Sequence, residues 1–208
     1  MDPAPTPLSL GLPTDDLCLA FVNTRYWRGS PRPTEELNAI DDVAAWMGTA
    51  LPDSAPAIAR SVAHWNAAED DKTTAFAAAL GLREIIYRAM RTAAEGHMPD
   101  LSGLNLALRQ AATRQTLELR DGKIGWKVPP PDTSSVASLL SPVLWSAADL
   151  LTGARRGRLR VCANPVCGYL FIDDSKSANR RWCTMSACGN RAKAHRHYLK
   201  TKAERKSA

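Results

Sequence analysis

Apolar residues recur every three or four positions through most of the first three quarters of the chain, which predicts a mainly helical domain. After a Pro-rich leader, Leu17 to Val22 is a short apolar run. A buried strand and a helical turn both accommodate such a run, and periodicity does not choose between them. From Asp41 an acidic helix start is followed by Val43, Ala44, Trp46 and Met47, with Pro52 as the stop. A second helix begins at Ser54, tolerates Pro56 in its first turn and carries Ile58, Val62 and Trp65. The strongest helix is predicted over Thr74 to Glu95, where Phe76, Leu80, Ile86, Tyr87, Met90 and Ala94 form a broad apolar face and Gly96 ends it. Pro99 and Asp100 open a fourth, with Leu101, Leu104 and Leu108.

The period then changes. Thr116 to Arg120 and Lys123 to Val128 alternate apolar and polar residues around Asp121-Gly122, a dipeptide suited to the positive φ angles of a two-residue hairpin turn. Pro129, Pro130 and Pro131 stop the second strand. Ser134 is placed to cap a last helix with Val136, Leu139, Leu140, Val143, Leu144, Ala147 and Leu151 at helical spacing, kinked at Pro142. Gly153, Arg155, Arg156 and Gly157 make a basic connector. The fold class expected is mainly α with a β-hairpin (α+β): a helical domain over residues 1–152, a linker over 153–160 and a small module over 161–208.

Composition sharpens this division. The chain of 208 residues is 45% hydrophobic and 23% charged, enough for one buried core plus a small module. Its longest uncharged stretch, Thr133 to Ala148, is broken by serines and Pro142, and the N-terminus lacks a basic and apolar leader pattern. No membrane span and a cytoplasmic location are therefore expected. The net charge of +6 hides an asymmetry: residues 1–152 carry 13 basic against 18 acidic side chains, and residues 153–208 carry 14 against 3.

The cysteines follow the same split. Cys18 stands alone in an apolar run and reads as core packing, whereas Cys162-x4-Cys167-x15-Cys183-x4-Cys188 places two close pairs in the basic segment. Four thiolates complete a tetrahedral zinc shell, and the pairs need little further closure to wrap it. Two disulfides or four unconnected thiols are the other readings, and the absence of an export signal disfavours disulfides. Asn164 and Pro165 favour a tight turn, with Gly168 directly after it. Tyr169 to Ile172 is β-prone, Asp173 to Asn179 is a polar turn, Arg180 to Trp182 reads as a return strand and Met185 to Lys202 as a helix with Cys188 in its first turn. That order suggests a treble-clef-like finger, with a zinc ribbon second. Free backbone N–H groups at a helix start favour a Cys188 thiolate, and Gly189 permits close approach to the sulfur. Tyr169, Phe171 and Trp182 are expected to form the mini-core. His195 and His197 are expected as surface residues rather than ligands, and His64 and His97 receive no role.

The density of Lys and Arg on so small a module is the footprint of nucleic-acid binding. Candidate contacts are Arg180, Arg181, Asn190, Arg191, Lys193, Arg196 and Lys200; at 100° per residue Lys193, Arg196 and Lys200 form one helical stripe. Arg191, Lys202 and Arg205 form a second cluster.

Cys183-x4-Cys188 followed by Gly189-Asn190-Arg191 resembles the signature of the CGNR zinc-finger family. The preceding segment, Leu17-Cys18-Leu19-Ala20-Phe21-Val22-Asn23-Thr24 and the Trp46 helix, resembles the ABATE domain of bacterial proteins described as stress-induced transcription regulators. The resemblance implies one structural zinc held by Cys162, Cys167, Cys183 and Cys188, and DNA as partner. It leaves Gly189, Asn190 and Arg191 as signature residues; the physical expectation is that Asn190 bonds locally and that Arg191 supports the ligand shell or grips a phosphate. Ala20 departs from the acidic residue associated with its position.

The leading expectation is a regulator whose finger holds DNA and whose helical domain senses a signal or forms a homodimer. The alternative is an adaptor docking an acidic protein, RNA or the ribosome. No enzyme is expected, because no phosphate loop, zincin, serine-hydrolase or paired-carboxylate pattern occurs and four thiolates leave no open metal position. Chelation is expected to unfold residues 160 to 200 and spare the helices.

Overall fold

The computed structural model of the chain describes residues 16–120, 123–132, 135–194 and 198, with the side chains of Glu69, Arg120 and Lys123 left out. The open question at the start resolves as helix: α1 is Leu17–Val22, with every residue except Ala20 buried. It lies between α7 (Ser141–Thr152) and α4 (Glu69–Ala94), so tertiary burial on several sides decides what its short pattern does not.

Helix α2 spans Ile40–Ala50, and its N-terminus is held by Asp42, whose carboxylate accepts from the Asn38 N–H at 2.7 Å and the Ala39 N–H at 3.1 Å. A 3-10 turn at Pro52–Ser54 ends it, and α3 follows over Ala55–Trp65 with Pro56 in its first turn. The long helix α4 begins at Glu69, ahead of its apolar periodicity, because Asp70 and Asp71 suit the positive end of a helix dipole. Its packing face meets α1, α2, α5 (Ser102–Gln110), α6 (Val136–Leu139) and α7. One apolar core results, with Phe21, Ile40, Ile86, Met90, Leu139 and Leu144 among its least exposed side chains.

The last apolar helix is interrupted rather than kinked. α6 ends before Leu140 and Pro142 falls in the first turn of α7, where its missing N–H costs nothing. Ser135 caps α6 by accepting from the Ser138 N–H at 3.3 Å; Ser134, the cap expected from sequence, lies outside the described residues.

Among the described residues three antiparallel pairs complete the fold. β1 (Arg25–Tyr26) and β2 (Thr34–Glu35) form a short ribbon with no signal in the sequence pattern. β3 (Leu117–Arg120) and β4 (Lys123–Trp126) form the expected hairpin, with Asp121-Gly122 outside the described residues. β5 (Leu159–Val161) pairs with β6 (Leu170–Ile172).

The third pair corrects two expectations. Residues expected as a linker over 153–160 fold as a 3-10 turn, Ala154–Arg158, and then as β5, whose Leu159 joins the helical core with Leu170 and Ile172. Arg155 pairs with Asp16 at 2.9 Å and Asp174 at 3.1 Å, so this basic stretch is bonded down. The return strand expected over Arg180–Trp182 does not form, because the first cysteine pair is itself the loop of the hairpin and β5 takes the edge of β6. Residues 180 and 181 are instead tied by the Asp173 carboxylate, which accepts from the Arg180 N–H at 2.7 Å, and by the Arg181 carbonyl, which accepts from the Ala163 N–H at 2.8 Å. Among the described residues no helix is long and apolar enough to cross a membrane.

Candidate metal centre

Cys162 closes β5, Cys167 ends the turn made by Asn164 and Pro165, Cys183 follows the Asp173-centred loop, and Cys188 lies in a π-helical turn, Met185–Gly189. All four are buried, and their Sγ atoms lie within 4.8 Å of one another. Zinc–sulfur bonds of about 2.3 Å in a tetrahedron require sulfur–sulfur edges of about 3.8 Å. The Cys167 and Cys183 sulfurs stand 3.8 Å apart, and none of the cysteines is in a disulfide. The donor set therefore fits one structural zinc ion.

The four crowded thiols share protons. Hydrogen bonds from Cys167 and Cys183 push Cys162 well below the ordinary thiol range, and donation to Cys162 pushes Cys167 and Cys183 up. A divalent cation supplies the positive charge that lets all four sulfurs lose their protons together. Cys18 is different in kind. It is fully buried in the helical core, its N–H donates to Ser146 Oγ at 3.0 Å, and burial pushes its thiol up to about 12.

Outer contacts brace the turns that carry the ligands. Asn164 donates its amide to Cys188 Sγ at 3.5 Å and accepts from the Val166 N–H at 3.2 Å, so one side chain sets the first turn and reaches the last ligand. Thr184 Oγ1 caps the turn that carries Cys188 by accepting from the Ala187 N–H at 3.2 Å. Phe171 is buried with the four cysteines, and Tyr169, Trp182 and Trp27 pack around them. Tyr169, Phe171 and Trp182 thus line the mini-core, joined by a tryptophan from the helical part. At Gly189 a Cβ would meet the Met185 thioether, its Sδ at 2.6 Å, rather than a ligand sulfur, which changes the reason for that glycine.

The predicted contact residues divide by what they touch. Arg180 bonds the carbonyl oxygens of Trp182 and Cys183 and lies over the Phe171 ring at 4.6 Å. Arg181 is exposed, over Trp182 at 5.5 Å, and Arg191 lies 4.5 Å from the centre of the Trp27 ring. Asn190 donates to the Ser186 carbonyl at 3.4 Å, the local bond expected of it. Lys193 is exposed, as is Lys176. Arg196 and Lys200 lie outside the described residues, as do His195, His197, Lys202 and Arg205.

Sequence reasoning missed how the finger is held. Asn23 makes a two-way bond with the Leu170 backbone, donating to its carbonyl at 2.8 Å and accepting from its N–H at 3.0 Å. The Arg28 and Gly29 N–H groups donate to the Cys167 and Val166 carbonyls at 3.1 and 3.2 Å, and Tyr87 donates its hydroxyl to the Gly168 carbonyl at 2.9 Å. Gly168 has φ +69°, a left-handed conformation suited to glycine, and a Cβ there would lie 2.9 Å from Arg28 Cβ. Behind this contact, Arg83 is 1% exposed, bonded to both Glu35 carboxylate oxygens at 2.6 and 2.5 Å and to Thr24 Oγ1 at 3.0 Å. Glu84 pairs with Arg28 at 2.7 Å, and the Arg28 guanidinium lies 3.7 Å from the Tyr87 ring centre.

No curated protein matches the chain. Residues 15–154 match the ABATE family model, described as "Putative stress-induced transcription regulator", and residues 158–201 match the CGNR zinc finger. The helical body with its Asn23-Thr24 anchor covers the first match, the four-cysteine cluster lies inside the second, and the chain belongs to the ABATE family and carries a CGNR zinc finger.

Proposed function

We propose that the chain is a zinc-dependent, DNA-binding transcription regulator of the bacterial stress response, acting in the cytoplasm. The finger contacts DNA, and the helical domain senses a signal or dimerises. Charge carries this reading. Residues 153–208 have a formal net charge of +11, and a divalent cation with four thiolates lowers it only by two. Exposed Lys176, Arg181 and Lys193 sit on a module stiffened by metal, aromatic packing and docking, a fixed array rather than a solvated tail. No catalytic step belongs to this reading, because four protein ligands close the coordination shell.

The residues that bond inward separate from those that face solvent. Arg180 bonds carbonyls within the finger and Arg191 lies over Trp27, although both are exposed, so their loss lowers stability along with affinity. Lys193 tests contact cleanly, being exposed in the helical stretch 190–194 that follows the Cys188 turn. Fluorescence anisotropy with a labelled DNA duplex across a salt series is expected to give log K falling linearly with log salt. Lys193→Ala lowers that slope by about one phosphate contact and leaves the melting temperature unchanged. Binding that ignores salt overturns DNA as partner, and capture that survives nuclease treatment moves the assignment to an acidic protein.

A further inference from the structure

The β3–β4 hairpin carries its apolar side outward. Its register pairs Leu117 with Trp126 and Leu119 with Ile124, which places all four on one face. They are 57%, 40%, 75% and 74% exposed. The opposite face carries the Glu118–Gly125 pair, and both of those residues are only half-exposed. In an antiparallel sheet with one wet side the apolar face turns to the protein and the polar face to water; here the apolar face is itself open to water.

This arm is also held without being covered. Among the described residues β3 and β4 pair with each other, and no other helix or strand packs substantially on either. A two-stranded hairpin is marginal in water unless something packs on it. Its base is nonetheless fixed: Arg114 is bidentate to Asp149 at 2.9 and 2.8 Å, and its guanidinium lies 5.7 and 5.2 Å from the ring centres of Trp126 and Trp145. The apolar face is thus presented at a set angle to the body.

We propose that this face seats a second copy of the chain, hairpin against hairpin about a two-fold axis. The four side chains of the face bear no charge, and the Arg114 guanidinium beside Trp126 is already paired with Asp149, so a charged partner gains little here, whereas an apolar ladder is complementary to itself under two-fold symmetry. Size agrees. Four large side chains exposed to this degree offer about 400 Å² per copy. A standard interface buries about 800 Å² per partner, a little over half of it apolar, so the hairpin supplies the apolar centre and neighbouring polar surface the rim. The proposal gives a location to the dimerising role suggested above, and it is tested without DNA so that each can fail alone.

Sedimentation velocity of the zinc-loaded full chain across a dilution series is expected to show a concentration-dependent species of about twice 22.6 kDa. Leu119→Lys with Ile124→Lys, and separately Leu119→Glu with Ile124→Glu, each give the single-chain mass with unchanged circular dichroism and zinc content. Mixing the two restores the doubled mass, since opposite charges then face each other. Leu119→Thr with Ile124→Thr keeps strand propensity and weakens the dimer at least tenfold, should the charged pairs disturb the hairpin. A wild-type chain that stays single at every concentration, or a dimer that persists in the charged variants, overturns the proposal.

Discussion

At Gly29 an added Cβ would stand 2.4 Å from the Pro165 carbonyl oxygen and 3.0 Å from Val166 Cα, both backbone atoms of the first cysteine turn. Neither can swing aside, so Gly29→Ala is expected to lower stability by about 1–3 kcal/mol. Gly81 is the matched control. It sits exposed in α4 with nothing within 4 Å of an added Cβ, and Gly81→Ala is expected to raise stability by about 0.5–1 kcal/mol. Denaturant midpoints of the two variants against wild type check both signs. At this scale the metal ligands were legible because local spacing alone brings paired cysteines together. Asn23, Arg28 and Tyr87 were not, because their partners lie on the far side of the sequence: Asn23 bonds a residue 147 positions away and Tyr87 one 81 positions away. Asn23 showed only as part of an Asn-Thr pair inside the family-like stretch, and Tyr87 only as part of an apolar helix face.

Between elements, the buried Arg83 ties α4 to β2 through Glu35 and to the end of α1 through Thr24. Burial alone raises the Glu35 carboxyl, yet the Arg83 hydrogen bonds and charge outweigh it and hold the group below its ordinary value of 4.5. A depressed carboxylate contributes stability that is present above the ordinary value and is lost as pH falls through the lower, folded one. Urea midpoints measured from neutral to acid pH are therefore expected to fall below about pH 4.5 in the wild type. Glu35→Gln starts less stable at neutral pH and shows a shallower acid limb. The helices and the β3–β4 hairpin were readable because each carries its own period and punctuation. The ribbon of β1 and β2 was not, since two-residue strands have no period, and the β5–β6 pair was missed because its loop is the cysteine turn itself. Pairing there is favoured by burial of Leu159, Leu170 and Ile172 in the helical core, which no window on the sequence contains.

For the molecule as a whole, the sequence divides into an acidic helical part and a basic finger, and the division leads to the expectation that chelation unfolds only the finger. The docked arrangement gives the opposite expectation. Leu159, Leu170 and Ile172 belong to the same apolar core as the helices, Trp27 packs with the cysteines, and Asn23, Arg28, Gly29 and Tyr87 bond the backbone between Val166 and Leu170. Binding of a metal to the folded state alone stabilises whatever folds with it, so the helices share in that free energy to the extent that these contacts couple them. Removing zinc with a chelator is expected to lower the melting temperature read from the helical far-ultraviolet signal, not only the signal from Trp182 and Trp27. Tyr87→Phe, which deletes one hydroxyl bond to the Gly168 carbonyl, costs the loaded protein about 1 kcal/mol. It also shrinks the shift on chelation, because less of the finger's stability then reaches α4. A helical transition that does not move when zinc leaves would mean that the interface transmits nothing and that the two matched regions fold as separate bodies.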